Sequence, residues 1–254
     1  MLTVLETLGS DNGSMVRGKT IQIAYNSEAF SCYFSTRGKN RPAMIVLHAW
    51  WGLNDFLRNF CDRLASEGFS TMAPDLYGGC TASTIEQAEN LRSKLDRKEA
   101  FRKINATLDY LLSEKQLLRG KMGAIGFSLG GHFALDLSSA RREVKAVVVF
   151  YGTSPKRQWK KSEAAYLGHF AEKDPYESAT NVLSLEKKLK SAGKRVKFYT
   201  YPNTGHWFFE SDRLDAYNRA ASALAWKRTV EFLHRTLRVS RSSSSSVLRT
   251  RDDR

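Results

Sequence analysis

Hydrophobic and polar positions alternate along the chain with two different periods, and the switch between them marks the elements. Thr20–Ala24 and Ala29–Ser35 alternate with a period near two and flank Tyr25–Glu28, which predicts an opening hairpin. Ala43–His48 (AMIVLH) is a continuous apolar run, the mark of a strand buried on both faces. Helical spacing follows over Asp55–Glu67, with Phe56, Phe60, Leu64 and Ala65 on one face and Gly68 as the stop. Phe69–Pro74 predicts the next strand. Ser83–Lys94 and Lys98–Gln116 predict two helices, the second striped by Phe101, Ile104, Leu108, Leu111 and Leu112. Strands over Lys121–Gly126, Val144–Tyr151, Tyr166–Ala171 and Val196–Tyr201 then alternate with helices over Gly131–Ser139, Val182–Ala192 and Asp215–Leu237.

Strands that alternate with helices after a hairpin predict one α/β domain over residues 20–238 with a mostly parallel sheet. Residues 1–19 are polar and aperiodic and read as a flexible arm. Residues 239–254 carry Ser242–Ser246 in a row and read as a disordered Ser/Arg-rich tail.

Composition adds three constraints. At 254 residues and 42% hydrophobic, the chain can bury a sizeable core. The net charge of +14 raises nucleic acid or an acidic surface as a partner. The tail accounts for part of that charge, and no nucleic-acid-binding motif accompanies it, so a solvated basic surface is the simpler reading. Cys32, Cys61 and Cys80 are odd in number and lack metal-ligand spacing, which points to reduced thiols and no metal site. Neither a signal segment nor a membrane span is expected, and the expected location is cytoplasmic.

The chemistry concentrates at Gly126-Phe127-Ser128-Leu129-Gly130, where an apolar strand runs through a tight turn into a helix. A nucleophile on such a turn needs small residues two before and two after it, because the backbones approach closely. Gly126 and Gly130 meet that need, and Ser128 is the candidate nucleophile. A hydroxyl needs a base. His206 lies just past the last predicted strand, whereas His132 and His234 sit within helices. Asp174 follows the strand that ends at Ala171, between Ser128 and His206 in sequence, and is the candidate orienting acid, with Glu172 as the alternative. The expected oxyanion donors are the backbone N–H groups of Leu129 and of Trp50, the latter in the loop after Ala43–His48. His48 is expected to brace that loop. Trp51, Tyr77, Trp207 and Phe208 are expected to crowd the substrate mouth, and Lys156–Lys161 to offer a basic edge for an anionic substrate.

His48-Ala49-Trp50-Trp51-Gly52-Leu53-Asn54, Ala73-Pro74-Asp75-Leu76-Tyr77-Gly78-Gly79, the Ser128 turn, the Asp174 loop and Tyr201-Pro202 through Phe208 together resemble the dienelactone hydrolase family over about residues 20–237. The resemblance implies an α/β-hydrolase fold with an eight-stranded sheet, no cofactor, and hydrolysis of a small ester or lactone through an acyl-enzyme. Three positions depart from it. Ser128 stands where well-known members carry Cys, Ala49 where they carry a Glu that activates the thiol, and Gly79 or Cys80 where they carry an Arg for a substrate carboxylate. The dienelactone substrate itself is therefore not carried over. Two alternatives stand beside hydrolysis: acyl transfer by the same triad, and a non-catalytic protein of this fold that binds nucleic acid or an acidic partner.

Overall fold

The structure, a computed structural model, describes residues 16–25, 28–114, 117–155 and 158–237. Residues 1–15 of the expected arm and all of the expected tail lie outside the described residues. In chain order the elements are β1 (Lys19–Tyr25), β2 (Glu28–Ser35), β3 (Arg41–Leu47), α1 (Asp55–Ser66), β4 (Ser70–Pro74), α2 (Ile85–Lys94) and α3 (Arg97–Ser113). They continue with β5 (Leu117–Phe127), α4 (Leu129–Ala140), β6 (Val144–Phe150), β7 (Ala165–Lys173), α5 (Ala179–Ser191), β8 (Val196–Gly205) and α6 (Arg219–Leu237).

All eight strands form one sheet in the order β1-β2-β4-β3-β5-β6-β7-β8. β1 and β2 pair antiparallel, β2 joins β4 antiparallel, and every pair from β4 to β8 is parallel. Alternation along the strands feeds two apolar layers. Ala146, Val148 and Phe150 of β6 face the layer of α1 and α6, while Val147 and Val149 face that of α3, α4 and α5. This two-sided burial is why the central strands read as unbroken apolar runs.

Several helix starts are fixed by side chains that satisfy otherwise orphaned N–H groups. Asn54 accepts from Leu57 N at the start of α1, and Thr84 and Gln87 form a reciprocal capping box on α2. Asp96 accepts from Lys98 N and Glu99 N, so α3 begins at Arg97, close to the expected Lys98. Ser178 caps α5 four residues before Val182, the first apolar position that had marked it.

Three boundaries move in ways that matter for function. β8 continues through Pro202–Gly205, with Gly205 still paired to Lys173, so His206 leaves the sheet directly. α4 begins at Leu129, immediately after Ser128. α6 begins at Arg219 instead of Asp215, because hydrogen-bonded turns from Trp207 to Tyr217 hold that segment instead.

Candidate active site

Five parallel strands end around one cavity, and the residues that follow them build the site. β5 delivers Ser128, β3 the Ala49–Trp50 turn, β6 Tyr151 and Gly152, β7 Asp174, and β8 His206. Sites in open α/β sheets form at this carboxyl edge.

Ser128 is held in a strained turn, with φ of 48° and ψ of −109°. Few non-glycine residues adopt a positive φ, and those that do are retained where the surroundings over-determine them. Here the surroundings are backbone. A methyl group on Gly126 would collide with the Gly130 carbonyl, and one on Gly130 with the Leu47 carbonyl. Gly152 lies so close that an added Cβ would sit 2.5 Å from the Ser128 carbonyl oxygen. The Ser128 N–H donates to Phe150 O at 2.9 Å, tying the turn to β6. Ser128 also stands at the N-terminus of α4, whose dipole favours a developing negative charge.

His206 Nε2 lies 3.0 Å from Ser128 Oγ, and His206 Nδ1 lies 2.7 and 2.9 Å from the two Asp174 oxygens. The His206 and Asp174 side chains are both buried. Asp174 Oδ1 also accepts from the N–H groups of Tyr176 and Glu177, which fixes the carboxylate. Glu172, the alternative acid, instead accepts from Asn203 N on the outside of the sheet. The other four histidines are committed elsewhere. His48 bridges Ala49 O and Leu76 N, the bracing expected of it, and burial holds its pKa below the usual value. His169 bonds Tyr201 and Thr229, His132 pairs with Asp136, and His234 reaches Glu67 O.

The cavity, of about 210 Å³, is lined by Ser128, Leu129, Trp50 and Trp207. The Leu129 N–H opens α4, where the first N–H groups of a helix have no partner within it. The indoles of Trp50 and Trp207 stack at 5.7 Å, and the Tyr176 ring meets Trp50 at 5.5 Å and His206 at 5.1 Å. The expected mouth is corrected in part. Trp51, Tyr77 and Phe208 do not line the cavity. Trp51 sits behind Trp207 with the Arg213 guanidinium 4.0 Å over its ring, Tyr77 packs on His48, and Phe208 packs between Tyr151 and Tyr201. These large rings fill the layer beneath the site, where sequence shows only that they are near it.

The expected basic edge is corrected as well. Lys160 and Lys161 are exposed and absent from the lining, and residues 156–157 lie outside the described residues. The cations in the cavity are Arg92, near the end of α2, and Arg97, at the start of α3; the His132 ring also lines it. Helix ends distant in sequence carried no local sign of this. Tyr151, Tyr176 and Glu177 also escaped the sequence argument, although Tyr151 follows an apolar strand by the same logic that had selected Trp50. Among the described residues, no group of three or more His, Cys, Asp or Glu side chains could hold a metal ion.

An eight-stranded, mostly parallel sheet with a strained residue at the carboxyl end of its central strand is the architecture of an α/β-hydrolase. The sequence model of the Dienelactone hydrolase family matches residues 30–237, and the chain belongs to that family. Protein usf of Aquifex pyrophilus is 30% identical over 226 residues, which cover 85% of this chain and 97% of that protein. A protein of Aquifex aeolicus provisionally named a carboxymethylenebutenolidase is 29% identical over 224 residues, covering 85% and 97%. The crystal structure of a dienelactone hydrolase-like promiscuous phosphotriesterase from metagenomic libraries superimposes with a TM-score of 0.79 at 19% identity, covering 88% of this chain and 99% of that one. At that identity the likeness concerns the fold.

Proposed function

We propose that this chain is a serine hydrolase that opens a small carboxylic ester or lactone through an acyl-enzyme. The observation that carries the proposal is the unbroken line from Ser128 Oγ through His206 to Asp174. Ser128 Oγ attacks the carbonyl carbon while His206 Nε2 takes its proton, and the carbonyl electron pair moves onto oxygen. The N–H groups of Leu129 and Trp50 receive that oxyanion. Collapse expels the alkoxide, which takes the proton from His206; from a lactone it remains tethered as a hydroxyl. Water then attacks the acyl carbon with His206 again as base and restores Ser128. Asp174 keeps the imidazole in the Nδ1–H tautomer and stabilises the imidazolium.

The lining also suggests what enters. Trp50, Trp207 and Tyr176 offer an apolar wall beside Ser128, and Arg92 and Arg97 offer positive charge in the same cavity. An apolar ester or lactone that carries a carboxylate suits both. The name of the Aquifex aeolicus relative, which describes a carboxyl-bearing lactone, agrees with this. A cytoplasmic enzyme is part of the same reading: the three cysteines are free thiols, and among the described residues no helix is long and apolar enough to cross a membrane.

The test is capture by a fluorophosphonate probe together with hydrolysis of p-nitrophenyl acetate. Ser128→Ala should abolish capture and reduce turnover by a factor of about 10³ or more. Full activity in Ser128→Ala would defeat the proposal. Salt-sensitive DNA binding without capture would favour the non-catalytic alternative, and a faster turnover with added alcohol would favour acyl transfer.

A further inference from the structure

Glu210 ends the turn that follows His206 and is 1% exposed. A carboxyl group in such a place is costly unless it is paired. Its partner is the Tyr151 hydroxyl, which donates to Oε1 at 2.7 Å. Tyr151 is itself buried and adopts a positive φ of 40°, an uncommon conformation for a bulky side chain. Its ring lies 4.8 Å from the His206 ring at an interplanar angle of 55°. The strained backbone, the buried acid and the imidazole therefore form one contiguous unit joining the end of β6 to the turn after β8.

The Nδ1–H of His206, shared between the two Asp174 oxygens, holds one edge of the imidazole but does not by itself fix the ring against swinging about that edge. Swinging carries Nε2 away from Ser128 Oγ. A flat wall against the ring opposes this motion, and a wall is only as firm as its anchor. Simple core filling requires neither the acid nor the hydroxyl, since Phe and Met at positions 151 and 210 would occupy the same space with no buried polar group to pair. We propose that Tyr151 and Glu210 are a positioning pair for the catalytic imidazole: Glu210 anchors the Tyr151 ring, and the ring keeps His206 Nε2 in line with Ser128. The proposal rests on the serine-hydrolase reading above.

The charges around the pair are consistent with an anchor that stays neutral. Asp212 and Arg213 on the same turn, and Asp174 across the Tyr151 ring, are the ionisable groups that act on it beside His206. Arg213 is turned to Ser83 O, Asp212 and the Trp51 ring. Burial raises the Glu210 pKa to about 8, so near neutrality the group is a carboxylic acid that accepts from Tyr151 without placing a second anion behind His206.

The experiment compares Tyr151→Phe, Glu210→Met and Glu210→Gln with the wild-type chain. The readouts are kcat and KM on p-nitrophenyl acetate, the rate of fluorophosphonate capture, and Tm. Loss of the anchor should lower kcat and the capture rate by about tenfold in Tyr151→Phe and Glu210→Met, with KM within about twofold. Glu210→Gln should restore both rates, because its amide oxygen still accepts from the Tyr151 hydroxyl. If Tm falls while kcat and capture hold in Tyr151→Phe and Glu210→Met, the pair is structural only and the proposal is overturned. Equal losses in Glu210→Gln and Glu210→Met would overturn it too, since the hydrogen bond would then be irrelevant. Should Glu210→Met not fold, Tyr151→Phe and Glu210→Gln decide alone. Failure of the underlying reading shows earlier and differently, as absence of capture in the wild-type chain.

Discussion

Replacing Glu210 by glutamine should remove a pH-dependent cost from the folded state, and the size of that cost follows from burial. The carboxyl group rises from its usual 4.5 to about 8, first because it is desolvated and further because of Asp212, against the opposing effects of Tyr151 and Arg213. In the unfolded chain it ionises near 4.5. Between about pH 4.5 and 8 the folded protein therefore holds a proton that the unfolded chain lacks. Its contribution to stability is fully present below pH 4.5 and is lost as pH rises through the folded value. At about 1.4 kcal/mol per unit, the whole window amounts to roughly 5 kcal/mol. The group is buried, so solvent screening does not reduce this. Two buried histidines act in the opposite direction: burial lowers His48, and lowers His169 to about 3, so both favour the folded state increasingly as pH rises toward 6.5. Comparing Glu210→Gln with wild type cancels them. Urea unfolding of both proteins at pH 6 and pH 8 should show the stability gap, variant minus wild type, widening by about 2 kcal/mol, which is two units less the fraction already ionised near pH 8. A gap constant to within about 0.5 kcal/mol would refute a neutral buried acid at this position.

Two further outcomes follow from the site. Gly126→Ala places a methyl group against the Gly130 carbonyl, which is backbone and cannot rotate away; overpacking of this kind costs about 1–3 kcal/mol, and thermal melts should show a lower Tm together with slower fluorophosphonate capture. Arg92→Ala and Arg97→Ala should each raise KM for a carboxylate-bearing lactone by about tenfold or more, the value of a lost charge-assisted hydrogen bond, and leave KM for neutral p-nitrophenyl acetate nearly unchanged; equal effects on both substrates would show that the arginines do not read charge.

How much of this was legible in sequence depended on whether the signal was local. The apolar run of β6 and the Gly126–Gly130 spacing are consequences of burial and close backbone approach, and each is written in adjacent residues. Ser128, Asp174 and His206, which the structure brings within hydrogen-bonding distance, could be singled out because each immediately follows a strand, and strand ends are visible as the point where apolarity stops. The segment after His206 was misread as helix from Asp215 because its turns are stabilised from outside. Asn54 bonds Asp212, and Arg213 bonds Ser83 O, partners more than 100 residues away. Trp51, Tyr77 and Phe208 were expected in the mouth because they lie beside the site residues in sequence, and only packing shows that they support it from below.

The same contrast explains why the positive charge of the cavity was sought in the wrong place. Lys156–Lys161 is a conspicuous cluster, but clusters on a surface arise wherever solvation is unopposed. Arg97 is conspicuous for a different reason. It opens α3, where the helix dipole disfavours a cation and acidic residues are preferred. A second cation, Arg92, approaches the same cavity from α2, and no ion pair joins either arginine to an acid among the described residues. Each guanidinium therefore retains donors that an incoming carboxylate could use, and their desolvation by that carboxylate in a cavity shared with Ser128 would orient the carbonyl as well as bind it. Binding energy from a remote anion can in this way be expressed at the reacting carbon. For the carboxylate-bearing lactone, loss of Arg97 should accordingly lower kcat as well as raise KM.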